Sequence, residues 1–183
     1  MKSPHGNPLS ERDPRAGKVT SRRDYSERTQ LVTQPVVGAK APDFTLPLSG
    51  GGTFSLKKSR GKKVVLYFYP RDNTSGCTRE ACDFRDNIRF LEEKNAVVVG
   101  VSSDSVTSHE KFAATYDLPF PLASDEEKEV VKRYGVWKVK SMYGRKYQGI
   151  ERTTFVIDEK GIIAHVFTKV KVDGHVQEVL DAL

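Results

Sequence analysis

Residues 64–69, Val-Val-Leu-Tyr-Phe-Tyr, are apolar or aromatic without a break, and the run stops at Pro70. A strand with no polar side must be covered on both faces, which places it inside a sheet with layers above and below. Residues 96–101 form a second such run, ending in Ser102-Ser103-Asp104-Ser105. Between them Cys77, Ala81, Phe84, Ile88 and Leu91 fall at offsets 0, 4, 7, 11 and 14 and share one helical face, while Arg79, Asp86 and Glu93 fall elsewhere. Buried strand, amphipathic helix and buried strand in succession predict an α/β domain.

The flanking segments extend this pattern. Residues 43–46 and 53–56 alternate polar and apolar around Ser49-Gly50-Gly51-Gly52, predicting a short strand pair. A helix is predicted after residue 105, capped by Thr107 with Glu110 three residues later. Another is predicted over 125–134, with Asp125-Glu126-Glu127 as its acid-rich first turn and Gly135 as its stop. Residues 153–157 and 162–167, joined by Asp158-Glu159-Lys160-Gly161, predict a hairpin. A short terminal helix should carry Val176, Val179, Leu180 and Leu183 on one side. No apolar run approaches the ~20 residues of a membrane-spanning helix.

The chain of 183 residues carries 30 Lys and Arg against 24 Asp and Glu, a net charge of +6. Seven bases and four acids lie in residues 1–34, so half of the excess sits where large apolar residues are scattered singly. Such a stretch buries too little to offset its ordering entropy, and 1–34 is read as a disordered basic tail ahead of a domain over 35–183. It lacks the apolar core of a secretory signal. Lys and Arg attract phosphate without sequence preference, but the folded part is read as lacking interleaved basic and aromatic residues, so a nucleic-acid role is disfavoured. Two cysteines are too few for a disulfide scaffold or a four-ligand zinc site. His5, His109, His165 and His175 are dispersed and are read as solvated or hairpin residues, not metal ligands. Gly50-Gly51-Gly52 lacks the Lys-Ser/Thr of a phosphate loop. Trp137 and Tyr143 are read as packing residues or as a border to a pocket.

Chemistry concentrates in residues 69–84, Tyr-Pro-Arg-Asp-Asn-Thr-Ser-Gly-Cys-Thr-Arg-Glu-Ala-Cys-Asp-Phe. They put Cys77 in the first turn of a helix that follows a buried strand and a Pro/Gly loop. Unpaired N–H groups and the positive end of the dipole stabilise a thiolate there, and the thiolate is the nucleophile. Cys77 also lines the apolar face, so a core-filling role competes with the nucleophilic one.

Pro70-x-x-x-Thr74-x-x-Cys77 resembles the active-site signature of the peroxiredoxins, and Cys82, five residues on, resembles the Q-type or bacterioferritin comigratory protein subfamily. Ala41-Pro42-Asp43-Phe44, Gly135-Val136-Trp137 and Arg152-Thr153-Thr154-Phe155 carry the resemblance over the chain from residue 36 onward. It implies a thioredoxin-like fold, a central mixed sheet flanked by helices. It implies a thiol peroxidase that reduces hydrogen peroxide and organic hydroperoxides without metal, haem or flavin, recycled by thioredoxin or a similar dithiol protein. Cys77 would be the peroxidatic cysteine and Cys82 the resolving one. Thr74 would hydrogen-bond thiolate and substrate, Pro70 would shield the pocket, and Arg152 would hold Cys77 as thiolate.

These residue types suit the chemistry. Breaking an O–O bond puts negative charge on the leaving oxygen, and an always-protonated arginine offers several donors to it. A second cysteine near a reactive thiolate stops oxidation at a disulfide. The family usually has proline where this chain has Ser75, a change that widens the conformations open to the loop. A thiol–disulfide oxidoreductase is the rival reading, but such enzymes use Cys-x-x-Cys and here four residues intervene. The protein is read as a monomer in a reducing compartment, by default the cytoplasm, with nucleus or plastid left open by the tail.

Overall fold

The computed structural model describes residues 33–142 and 144–183. The tail expected over 1–34 thus falls almost wholly outside the described residues, as does Tyr143. Among the described residues nine strands and five α-helices follow in order, with a 3-10 turn over Leu56–Ser59. They are β1 (Thr45–Pro47), β2 (Thr53–Ser55), β3 (Lys63–Phe68), α1 (Ser75–Asp86), α2 (Ile88–Glu93), β4 (Ala96–Ser102), α3 (Val106–Thr115) and β5 (Leu122–Ser124). Then come α4 (Glu129–Arg133), β6 (Trp137–Met142), β7 (Arg145–Ile150), β8 (Thr153–Ile157), β9 (Ile163–Thr168) and α5 (His175–Asp181).

Five strands form one sheet in the order β5-β4-β3-β8-β9. β3 runs parallel to β4 and antiparallel to β8, so Val65 pairs with Val98 on one side and Val156 on the other. β5 continues the parallel side and β9 the antiparallel side, which makes the sheet mixed. The apolar run at 64–69 is therefore the middle strand, and its period-two pleat divides the core. Val64, Leu66 and Phe68 face a cluster with Phe44, Leu56, Val131, Tyr134 and Phe155. Val65, Tyr67 and Tyr69 face the other, with Ala81, Phe84, Leu91, Phe112 and Val179. The first cluster is covered from β1, β2 and α4, the second from α1, α2, α3 and α5.

Several elements differ from the sequence reading. The helical stripe from Cys77 to Leu91 is cut at Asn87, whose side-chain amide donates to the Asp83 carbonyl at 2.9 Å. The break leaves Phe84 and Leu91 buried on one side, so apolar spacing could not reveal it. The cap of α3 is Ser105, whose hydroxyl accepts from the Ser108 amide at 3.3 Å; Thr107 lies inside the helix. The helix expected over 125–134 shrinks to α4. Asp125 is its outlying cap, accepting from the amides of Glu129 (3.1 Å) and Val131 (2.8 Å), and Lys128 takes a left-handed φ of 59°. Asp125-Glu126-Glu127 are thus a turn before the helix, not its first turn.

The β6–β7 hairpin was not expected; its strands pair only with each other, outside the five-stranded sheet. It interleaves Trp137 and Tyr147 with Lys138, Lys140, Arg145 and Lys146, contrary to the reading that no such interleaving exists in the folded part. Among the described residues no helix is long and apolar enough to cross a membrane.

Gly100, inside β4, tests the packing. A Cβ there would lie 2.7 Å from the ring carbon Cζ of Tyr67 and 2.8 Å from Leu122 Cδ2, both fully buried. Gly100→Ala should destabilise the protein by ~1–3 kcal/mol through overpacking, read as a lower urea midpoint at unchanged m-value.

Candidate active site

β3 carries the chain to Tyr69, whose amide still bonds the Val101 carbonyl of β4 at 3.1 Å. Five residues, 70–74, then turn the chain over the end of the sheet before α1 begins. Thr74 is the N-cap in extended conformation (φ −87°, ψ 146°), and its carbonyl accepts the Thr78 amide at 2.8 Å. Cys77 is the third residue of the helix, so its amide is among the four that no intrahelical carbonyl takes. The first turn holds no acid to oppose a thiolate.

Cys77 is 1% exposed. Arg152, in the link between β7 and β8, donates through Nη2 to Cys77 Sγ at 3.3 Å and through Nη1 to Glu80 Oε2. Glu80 lies one turn beyond Cys77 and is fully buried, so one guanidinium bridges two acceptors of the same helix. Gly76 makes this approach feasible: a Cβ there would sit 3.3 Å from Arg152 Nη2. Burial works against the charge of Arg152, but Glu80 and Cys77 outweigh it and hold its proton more firmly than usual. Burial drives the Glu80 carboxyl up to about 7 against the pull of Arg152. Lys140, on β6, is lowered by burial, with Arg152 adding to the effect and Glu151 and Cys77 opposing it, so the hairpin brings a second cation near the site.

The structure thus joins Cys77 and Arg152 directly. Pro70 stands half-buried at the end of β3. The Thr74 hydroxyl donates to the Arg71 carbonyl at 3.1 Å, turned from the thiol it was expected to meet. Cys82 lies on the same unbroken helix, partly exposed, and both cysteines are free. Ser75 is the exposed first residue of α1.

Two features escaped the sequence reading. Glu80 was one, although a charged residue beside a buried stripe was a readable signal. The histidines were the other, since His109 and His175 are buried and not solvated. His175 shares a 2.8 Å hydrogen bond with Thr154 Oγ1, and burial lowers its pKa while Glu178 opposes. His109 pairs with Asp72 in the 70–74 loop at 2.9 Å. Among the described residues no group of three or more His, Cys, Asp or Glu is arranged to hold a metal ion.

A sheet of this order that presents a buried cysteine under an arginine at a helix start is the frame of a thiol-based redox enzyme. The AhpC/TSA family matches residues 37–166. A putative peroxiredoxin bcp of Coxiella burnetii is 55% identical over 147 residues, covering 80% of this chain and 97% of that protein. Peroxiredoxin Bcp of Bacillus subtilis is 48% identical over 147 residues, covering 80% and 94%. Among solved structures, a PrxQ variant of Xylella fastidiosa superposes with a TM-score of 0.78 at 38% identity, covering 81% of this chain and 95% of that one. The bacterioferritin comigratory protein of Xanthomonas campestris, described for its alkyl peroxide reduction, superposes at 0.73 and 41%, covering 76% and 88%. The chain belongs to the AhpC/TSA family, in its Bcp or Q-type peroxiredoxin branch, and has the thioredoxin-like fold.

A buried carboxyl raised from its ordinary 4.5 to about 7 binds a proton in the folded protein that the unfolded chain has already released. Folding stability from this group is therefore present below pH 4.5 and lost as pH rises toward 7. The fall in urea midpoint between pH 5 and pH 8 should be smaller in Glu80→Gln than in the unsubstituted protein, by the equivalent of ~1–3 kcal/mol. Equal falls would place the ionised Glu80 at no disadvantage.

Proposed function

We propose that the chain is a thiol peroxidase in which Cys77 reduces hydrogen peroxide and organic hydroperoxides, Cys82 resolves the product, and a dithiol protein such as thioredoxin restores the thiols. The observation that carries this reading is the Arg152 guanidinium at 3.3 Å from Cys77 Sγ, at the start of α1. The thiolate of Cys77 attacks one peroxide oxygen and the O–O bond breaks. The sulfur takes that oxygen as sulfenic acid, and the leaving oxygen takes a proton to become water or an alcohol. Charge grows on the leaving oxygen, and guanidinium and unpaired helix amides are donors already oriented toward it. Glu80 orients the guanidinium, and Pro70 limits access of water. Thr74 contributes by turning its hydroxyl from the Arg71 carbonyl to the peroxide.

The Cys82 thiol then attacks Cys77 Sγ, water leaves, and a disulfide closes within one chain, so a monomer suffices. A disulfide of this kind turns over only where a reductant keeps pace, which favours the cytoplasm. On an intact helix, residues five apart lie ~140° apart around the axis and ~7.5 Å along it, roughly 8.6 Å between Cα atoms. A disulfide spans about 4.4–6.8 Å, so the helix must open. The turn from Cys77 to Asp83 unwinds while Phe84, Ile88 and Leu91 stay docked, a local opening well below global unfolding.

Cys77→Ser should reduce peroxide consumption to background, since a hydroxyl is a far poorer nucleophile at neutral pH. Cys82→Ser should react once and then gain one or two oxygens on Cys77 in intact-mass measurements. Normal turnover of Cys82→Ser with thioredoxin would remove Cys82 from the resolving role. In amide exchange, residues 78–84 should lose protection on oxidation while the amides around Leu91 keep theirs. Unchanged protection across 78–84 in the disulfide form would refute the unwinding.

A further inference from the structure

The loop that carries Pro70 and Thr74 is tied down at its middle by a carboxylate. Asp72 is 6% exposed and accepts from the Tyr69 hydroxyl (2.7 Å), the Ser108 hydroxyl (2.7 Å) and His109 Nδ1 (2.9 Å to one oxygen, 3.1 Å to the other). Its amide donates to Asp104 Oδ2 at 2.9 Å, and that oxygen also takes the Ser102 hydroxyl at 2.7 Å. A carboxylate only accepts, so the Nδ1 of His109 carries the proton. His109 Nε2 is buried with no partner, and Nδ1, which also lies 3.3 Å from the Tyr69 hydroxyl, carries the ring's polar contacts, all within the Asp72 network.

Well-packed apolar side chains could fill this space at equal or better stability, since burying a carboxylate and an imidazole carries a desolvation penalty. The network instead confers a defined position. Asn73, the next residue, sits at a left-handed φ of 56°, a turn conformation that asparagine adopts more readily than most residues. The tethers come from the ends of β3 and β4 and from α3, none of which contains either cysteine.

We infer that the Asp72–His109 pair is a latch that positions the peroxidatic pocket: it keeps the loop from Pro70 to Thr74 seated while the cysteine-bearing turn beyond it opens and recloses. His109 and Asp72 are positioning residues, acting on peroxide through Pro70, Thr74 and the start of α1. The inference rests on the thiol peroxidase reading. It adds that reactivity of Cys77 depends on a side chain of α3, a helix that supplies none of the groups touching the thiol.

The test separates the hydrogen bond from the space the ring fills. In His109→Asn the amide Nδ2 stands where Nδ1 was and can still donate to Asp72; in His109→Leu nothing can. The Asn variant loses volume and the Leu variant leaves the buried Asp72 short of a donor, so both should show lowered urea midpoints. The rate of the first oxidation of reduced protein by hydrogen peroxide, followed by stopped-flow fluorescence of Trp137 and checked by intact mass, is the readout. His109→Leu should be slowed at least ~10-fold and His109→Asn no more than ~3-fold, the scale expected when a reacting group is misplaced by a fraction of an ångström. Tyr69→Phe removes one donor to Asp72 with little change of volume and should be slowed several-fold in a protein that remains folded. Equal rates for the Asn and Leu variants, or an unslowed Tyr69→Phe, would overturn the latch. If peroxide leaves the unsubstituted protein unoxidised at Cys77, with neither an added oxygen nor the loss of two hydrogens that marks a Cys77–Cys82 disulfide, the peroxidase reading is overturned instead, and the latch with it.

Discussion

Everything in this fold is arranged around a strand without a polar face. β3 sends Val64, Leu66 and Phe68 to one side and Val65, Tyr67 and Tyr69 to the other, and each set needs its own cover. The helices α1, α2, α3 and α5 bury one set, while β1, β2 and α4 bury the other. Because β3 is covered along its length, reactive groups can reach solvent only beyond its end. There the chain turns at Pro70, and α1 begins with its first amides unpaired by intrahelical carbonyls. The position of the site follows from where the burial of β3 stops.

The electrostatics of that space turn on one cation shared by two acceptors. Arg152 has to satisfy a fully buried carboxyl and a sulfur at once, and its own 14% exposed side chain gains little from water. Glu80 fixes the guanidinium in direction, and it also competes with Cys77 for the charge. A carboxyl near neutrality is a soft competitor: when protonated, it leaves more of the cation for the sulfur. The pair therefore couples the site to pH through a residue that does not touch the peroxide.

Much of this was legible beforehand, for reasons that can be assigned residue by residue. The apolar runs at 64–69 and 96–101 announced β3 and β4 because burial on both faces leaves no other composition. Cys77 and Arg152 were legible through the resemblance, and their meeting in space agrees with it. The break at Asn87 was hidden because period-3.6 spacing survives a single-residue interruption. β5 was hidden because three residues are too few for a period. The β6–β7 hairpin was missed although residues 137–140 alternate apolar and cationic at period two, because residues 145–150 show no matching alternation. Histidine burial was the largest blind spot: nothing local in Ser108-His109-Glu110 reveals that Asp72, 37 residues earlier, is waiting for a proton donor.

The apolar side chains that the opening of α1 would release are small. Cys77 and Ala81 are the apolar residues in its first two turns, and the first bulky anchor is Phe84. A fully buried large apolar side chain contributes about 1.5–3 kcal/mol, so what secures this segment is less its apolar burial than the buried Glu80–Arg152 pair, which its opening would break. The same smallness governs the return. If the proposed disulfide forms and is reduced, the freed turn would carry only Glu80 back into the core as a large group, and helix elongation from the docked end at Phe84 would proceed in about nanoseconds per residue. In the proposed cycle the helix would thus be wound afresh from its own docked end, with the return of Glu80 to Arg152 closing the turn.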